Sequence, residues 1–232
     1  MSKSLRAIER SIVACTRCPE LRAYCAQVAL EKRRAYASEP YWGKPVPAFG
    51  DPRARMMLVG LAPGAHGSNR TGRTFTGDSS GDFSYPALHR AGFASQPFAR
   101  DRNDGMTLRD CIITAAGRCA PPKNKPTPQQ LRNCFPYLLE EFDALPQLEV
   151  TIGLGKIGFD AIVRMLKERR YGFADASPAF GHGVEYAATS GARRIVVLGT
   201  YHPSRQNTNT GKLTVPMFDA IFMRAKTVLA TG

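Results

Sequence analysis

The chain has 232 residues, 43% of them hydrophobic, enough for one sizeable core or one core with a small appendage. Its formal charge of +13 is spread along the chain, which excludes a disordered cationic tail and favours a polyanionic partner, most often nucleic acid. No apolar run reaches the ~20 residues of a membrane span, and MSKSLRAIER carries no signal-peptide pattern. A cytoplasmic protein is therefore expected, in which clustered cysteines read as metal ligands or reactive groups before disulfides.

In chain order, Ser4 to Ala14 reads as a short helix and Leu21 to about Ala37 as a longer one. Between them sits the C-x2-C pair Cys15-Thr-Arg-Cys18, followed by Pro19. A loop rich in Pro, Gly and aromatics follows, SEPYWGKPVPAFGDP. Residues 1 to about 50 thus read as a helical appendage of one domain spanning the chain. Beyond it the pattern becomes short apolar runs alternating with helical stretches. Met56–Gly60, Cys111–Thr114, Val150–Leu154 and Arg194–Leu198 read as buried strands. Tyr85–Ala91, Gln129–Ala144 and Gly158–Arg169 read as helices between them. Such alternation implies an α/β fold with a mainly parallel sheet covered on both faces. Sites in such folds form at the carboxyl ends of the strands, here Leu61–Gly64, Ala115–Cys119, Gly155–Lys156 and Thr200–Pro203.

Cys119 follows a predicted strand, and Cys134 falls in the next helix with fourteen residues between the two. Four thiolates suit either zinc or an iron–sulphur cubane. Zinc ribbons usually offer two tight knuckles and this chain has one, which tips the balance toward [4Fe–4S]. Cys25 and Cys111 read as small buried hydrophobes.

Two loops carry the residues of chemistry. The first follows the first strand, from Gly60-Leu61-Ala62-Pro63-Gly64 through Phe75 to Asp78. Its glycines let backbone approach a flat ligand closely, and Phe75 can stack on a base. Asp78 stands before a helix, where an N-cap and a catalytic acid are equally good readings. The second loop follows the last strand: His202-Pro203-Ser204-Arg205-Gln206-Asn207. A histidine there can donate a hydrogen bond to a carbonyl oxygen, and the polar residues after it suit phosphates and a groove. His66 is a second histidine in the first loop, ranked below His202.

Taken together, GLAPGAHGSNRTGRTFTGDSSG, RCAPPKNKPTP and HPSRQNTNTGKLT resemble the uracil-DNA glycosylase superfamily. The resemblance is to its iron–sulphur branch in particular, family 5 or UDGb type, and runs from about Cys15 to Thr214. It implies a three-layer α/β/α sandwich around a central four-stranded parallel sheet. The N-terminal helical segment would be tied in by a [4Fe–4S] cluster on Cys15, Cys18, Cys119 and Cys134. It also implies a monofunctional hydrolase of base-excision repair, acting as a monomer on double-stranded DNA with deaminated bases. Asp78 would serve the water and the cationic sugar, and His202 the departing base. Asn124 matches a position implicated in catalysis. Phe75 and the backbone of Leu61–Gly64 would line the pocket, and Ser204, Arg205, Gln206 and Asn207 would meet DNA.

Two departures from the uracil-specific family 4 stand out. Leu61 replaces the Glu of GEAPG, and Ala115 stands where an Asn reads the edge of uracil. Both fit a broader range including hypoxanthine and xanthine. No lysine stands out as a Schiff-base nucleophile, so hydrolysis without strand cleavage is expected. The rivals are a non-catalytic iron–sulphur or zinc nucleic-acid-binding protein, a redox enzyme using the cluster, and a relative that traps the abasic site covalently. The first leaves Asp78, Asn124 and His202 unexplained. The second has no use for the basic loop. The third lacks a basic insertion after the first motif.

Overall fold

The computed structural model describes residues 3–174 and 178–231. Helix α1 (Leu5–Val13) begins where the Ser4 hydroxyl accepts from the Ala7 N–H, and it turns Ile8 and Ile12 inward. Helix α2 (Pro19–Glu31) opens on a proline, which lacks only an N–H that a first turn leaves unpaired anyway. It stops because Lys32 takes a φ of 55°. The expected helix to about Ala37 is therefore too long; only a 3-10 turn, Arg34–Tyr36, follows.

The remaining elements are β1 (Phe49–Gly50), β2 (Met56–Gly60), α3 (Ser68–Thr71), α4 (Ser79–Ala91), β3 (Cys111–Ala115), α5 (Pro128–Asp143), β4 (Val150–Leu154), α6 (Lys156–Glu168), β5 (Gly172–Phe173), β6 (Glu185–Ser190), β7 (Arg193–Thr200), α7 (Arg205–Asn209) and α8 (Val215–Thr231). The strands form one sheet in the order β1-β3-β2-β4-β7-β6-β5. Strands β3, β2, β4 and β7 are parallel, while β1, β6 and β5 join antiparallel. The sheet is mixed and has seven strands, of which the four parallel ones, β3, β2, β4 and β7, lie contiguous within it. The additional strands are short, or carry the half-exposed polar mix of Glu185–Ser190, so no apolar run betrays them.

Every residue of β2, β3 and β4 is buried, as strands covered on both faces require. Alternate side chains face opposite layers. Met56 and Leu58 join Tyr85 and Leu88 of α4 and Phe218 and Phe222 of α8. Met57 and Val59 join Phe135 and Leu138 of α5 and Phe159 and Ile162 of α6. Each such side chain contributes ~1.5–3 kcal/mol on burial, so these two layers dominate the stability of the fold.

The N-terminal helices are stitched onto this core. Ile8 and Ile12 pack on Tyr137 of α5, whose hydroxyl donates to the Ser11 carbonyl at 3.3 Å. The Asn69 amide donates to the Cys25 carbonyl at 3.4 Å, and the Trp42 N–H donates to the Arg70 carbonyl at 2.8 Å. Among the described residues no helix is long and apolar enough to cross a membrane. The carboxyl ends of the parallel strands lead into the loops at 61–78, 116–127 and 201–204, which meet at one end of the sheet.

Candidate active site

The loop after β2 is shaped by close packing. Phe75 adopts a φ of 51° and is buried, with its ring against Gly60, where an added methyl would lie 2.9 Å from Cζ. Three contacts hold this stretch. The Tyr85 hydroxyl donates to the Thr74 carbonyl at 3.0 Å. Arg73 donates to Thr76 Oγ1 at 2.9 Å and pairs with buried Asp104 at 2.7 Å. These contacts sustain a left-handed backbone that a bulky residue adopts only under constraint.

Asp78 is the N-cap of α4. Its Oδ1 accepts from the Ser80 N–H at 3.0 Å and the Gly81 N–H at 3.1 Å. Its Oδ2 has no hydrogen-bond partner among the described residues and lies against Gly64 and Gly67. The N-cap reading of Asp78 thus holds, with one oxygen capping and the other left without a hydrogen bond among the described residues. Burial pushes this carboxyl above its ordinary range, opposed by the two capping amides and by Arg70.

The loop after β7 brings His202 in from the other side, its ring centroid 5.9 Å from that of Phe75. Its carbonyl accepts from the Ser204 N–H at 2.7 Å and from the Asn207 side-chain amide at 2.8 Å. Burial pulls the imidazole down to about 4, so it is neutral at neutral pH. Ser204 caps α7, and Arg205 and Gln206 are exposed beside it. Asn207 is turned inward onto the His202 carbonyl and does not line the cleft with them.

From β3, Ala115 stands opposite Gly60 across the parallel register. Beyond it Lys123 and Asn124 both have left-handed backbones, φ 54° and 55°, and are exposed at the rim. Two such residues in succession store strain of order 1–3 kcal/mol each, as functional loops often do.

These loops enclose a cleft of about 750 Å³. Gly60 to Gly64, Phe75, Asp78, Ala115, Asn124, His202, Ser204, Arg205 and Gln206 all line it. The wall also holds residues to which the sequence reading gave no role. Arg33 and Tyr36 come from the N-terminal segment, and Lys123 from the strained turn. His66 also lines the cleft, with Tyr41 behind it: the Tyr41 hydroxyl accepts from the Arg33 N–H at 3.3 Å and meets His66 Nδ1 at 2.9 Å. Burial lowers the His66 pKa, with Arg33 and Arg70 acting the same way. The aromatics of the 39–49 stretch were the one sequence signal for this wall, and they read equally well as an ordinary loop.

The cysteines occupy a separate junction. Cys18 packs with Cys119, Cys25 and Leu21, and accepts a hydrogen bond from the Asn133 amide at 3.3 Å, next to Cys134. Cys15 packs with Ile8, Ile12 and Tyr137. The Arg17 guanidinium donates to the Asn133 carbonyl at 2.9 Å and lies over the Tyr137 ring. Cys25 donates to the Ala120 carbonyl at 3.4 Å, and Cys111 is buried within β3. Among the described residues, no three His, Cys, Asp or Glu side chains are grouped closely enough to hold one metal ion.

Chemically, the cleft offers an aromatic face, a half-buried carboxylate with one oxygen free of hydrogen bonds among the described residues, and an uncharged imidazole, rimmed by Arg33, Lys123 and Arg205. That combination suits a flat heteroaromatic group attached to an anionic backbone.

Residues 47–226 match the family described as the Uracil DNA glycosylase superfamily. The chain is 47% identical over 220 residues to the Type-5 uracil-DNA glycosylase of Thermus thermophilus, covering 95% of this chain and 96% of that one. It is 44% identical over 224 residues to the Type-5 uracil-DNA glycosylase of Mycobacterium tuberculosis, covering 96% and 81%. A Type-4 uracil-DNA glycosylase of Pyrobaculum aerophilum is 28% identical over 186 residues, 80% of each chain.

Proposed function

The chain belongs to the uracil-DNA glycosylase superfamily, and from that membership we infer that it is a monofunctional, hydrolytic glycosylase removing uracil from DNA in base-excision repair. The observation that carries the mechanism is the convergence of Asp78, Phe75 and His202 from separate loops on one cleft.

A target base enters only after unstacking, which costs a few kcal/mol and is least for a mispaired base. In the cleft it stacks on Phe75. Breaking the C1′–N bond leaves electrons on the base and an oxocarbenium-like sugar. Neutral His202 donates to a base carbonyl oxygen as negative charge develops there. Asp78 faces the developing sugar cation. It also orients the water whose oxygen forms the new bond to C1′, and it receives that water's proton. Asn124, at the rim, orients water or base. Ser204, Arg205 and Gln206 engage DNA, while Asn207 braces His202.

The substrate range extends to the deaminated purines hypoxanthine and xanthine. The small side chain of Ala115 in the cleft wall supports this, since it places no fixed polar contact against one base edge.

A [4Fe–4S] cluster held by Cys15, Cys18, Cys119 and Cys134 fits the chemistry of their junction. Cys18 packs against Cys119 and meets Asn133 beside Cys134, while Cys15 lies against Tyr137 on the same helix as Cys134, and Arg17, Arg22 and Arg118 stand near these residues. Thiolates on a cubane stand around four irons and need not crowd as ligands of one ion do. Its contribution would be to tie the N-terminal helices to the core. Reduced thiols of this kind suit the cytoplasm.

The test is base release from duplexes carrying uracil, hypoxanthine or xanthine. Uracil release leaving an uncleaved abasic strand is expected. Tight DNA binding without any base release would replace this reading with a non-catalytic nucleic-acid-binding protein.

A further inference from the structure

We propose that Arg70 is a positioning residue for the Asp78 carboxylate and that, through Arg70, the N-terminal segment 33–41 is a working part of the active site. The proposal rests on the role given to Asp78 above. Arg70 leaves α3 with its side chain only 7% exposed. Its Nε donates to the His66 carbonyl at 2.8 Å and its Nη2 donates to the Gly77 carbonyl at 2.9 Å. Those carbonyls belong to the residues immediately before Gly67 and Asp78, the two that face each other across Oδ2. One guanidinium thus spans both sides of the carboxylate's seat. A planar fork does this with little freedom; a lysine could not reach both carbonyls in fixed geometry.

The third partner is Glu39, which forms an ion pair with Arg70 Nη1. The Tyr36 ring lies under the same guanidinium, 3.9 Å from its carbon. Tyr41 makes the second attachment, to His66. A segment that sequence reading divides between the end of a helix and a loop therefore grips the catalytic loop at two points. Glu39 does two things here: it orients Arg70 and it offsets part of the positive charge that Arg70 places near Asp78.

This charge arrangement separates positioning from mere support. Asp78 is faced by Asp82 from α4, Arg70 from α3, and His66 and His202 from the loops, with Arg33, Lys123 and Arg205 at the rim. Taking away the Glu39 charge leaves Arg70 unopposed and favours ionised Asp78. Taking away the Arg70 charge does the reverse. The acid limb of single-turnover uracil release should therefore move to lower pH in Glu39→Gln and to higher pH in Arg70→Met. Each shift should be about a few tenths of a unit to one unit, as for a partly offset neighbouring charge. Arg70→Met should also lower the plateau rate by roughly tenfold or more through misplacement of the carboxylate. Glu185→Gln, which breaks the exposed pair with Arg224, serves as control and should leave the profile unmoved.

Limbs that stay put, or that move in the same direction in both variants, would overturn the proposal. Glu39 is half-exposed, so its variant decides the matter alone if Arg70→Met does not fold. Should Asp78→Asn itself retain full excision, the role of Asp78 falls, and the test is read as a failure of that role and not of the clamp.

Discussion

Gly67 and Asp78 are so closely apposed that a methyl group on Gly67 would stand 2.7 Å from the Asp78 carboxyl carbon and collide with Oδ2. The glycine is required because the free oxygen of the carboxylate occupies the place of its side chain. Gly67→Ala is expected to displace the carboxylate while leaving the DNA-facing loop intact. A displacement of about 1 Å can reduce the chemical step by ~10²-fold. Single-turnover uracil release should fall on that scale, with DNA affinity within about twofold, since no phosphate-facing residue moves. An unchanged rate would mean that Oδ2 need not sit where it does.

Arg205 and Asn207, neighbours in one loop, should fail differently. Arg205 is exposed on the cleft rim, so Arg205→Ala should weaken damaged-duplex binding by ~1–3 kcal/mol and reduce its salt dependence. Asn207 instead holds the His202 carbonyl at 2.8 Å. Asn207→Ala should lower the excision rate with little change in affinity or salt slope. Equal effects of the two on affinity would return Asn207 to the DNA surface.

His202 supplies a pH prediction. Burial places its pKa at about 4, below the ordinary histidine value of 6.5. A histidine depressed in this way favours the native state above pH 6.5 and loses that contribution as pH falls from 6.5 through about 4. Its ring resonances should stay at their neutral positions from pH 8 down to 5, and excision should show no acid limb from His202 near pH 6.5. An NMR titration midpoint near 6.5 would contradict the neutral-donor role.

The main lines of this architecture were legible because they rest on strong local signals. Met56–Gly60 and Val150–Leu154 are short, mainly apolar runs, fully buried, and lie where the pattern puts them. Asp78 was legible as an acid before a helix, but sequence could not show that one oxygen caps while the other faces a glycine. The strand Glu185–Ser190 was lost because half-exposed polar residues imitate a loop. Arg33, Tyr36 and Glu39 were invisible as site residues, since only the packing of α2 and α3 brings that segment to the cleft. The contact of Asn207 with the His202 carbonyl was not legible, because a polar residue in a basic loop has the same sequence signature whether it points at DNA or at its own backbone.

The cysteines divide by position. Purified protein is expected to be brown, with about four irons per chain, as a cubane requires. Cys119→Ser, at the junction of the turn after β3 with α2, should lose the iron or fail to fold. Cys111→Ser, within β3, and Cys25→Ser, which can still donate to the Ala120 carbonyl, should keep it. Stoichiometric zinc without iron after anaerobic preparation would refute the cluster.

The central claim is that Asp78 is the catalytic carboxylate as well as a helix cap, and Asp78→Asn separates the two roles. Asn caps a helix about as well as Asp, so α4 and the fold should be retained. The substitution removes the negative charge and the proton acceptor from the oxygen beside Gly67. General-base contributions are typically ~10²–10⁴-fold, and single-turnover uracil release should fall by about that factor. Single-turnover conditions matter, because slow product release would mask a chemical defect. DNA affinity should hold or rise slightly, since a charge facing phosphates is gone. Excision within about threefold of the parent, far short of that range, would contradict the account and leave Asn124 to position the water.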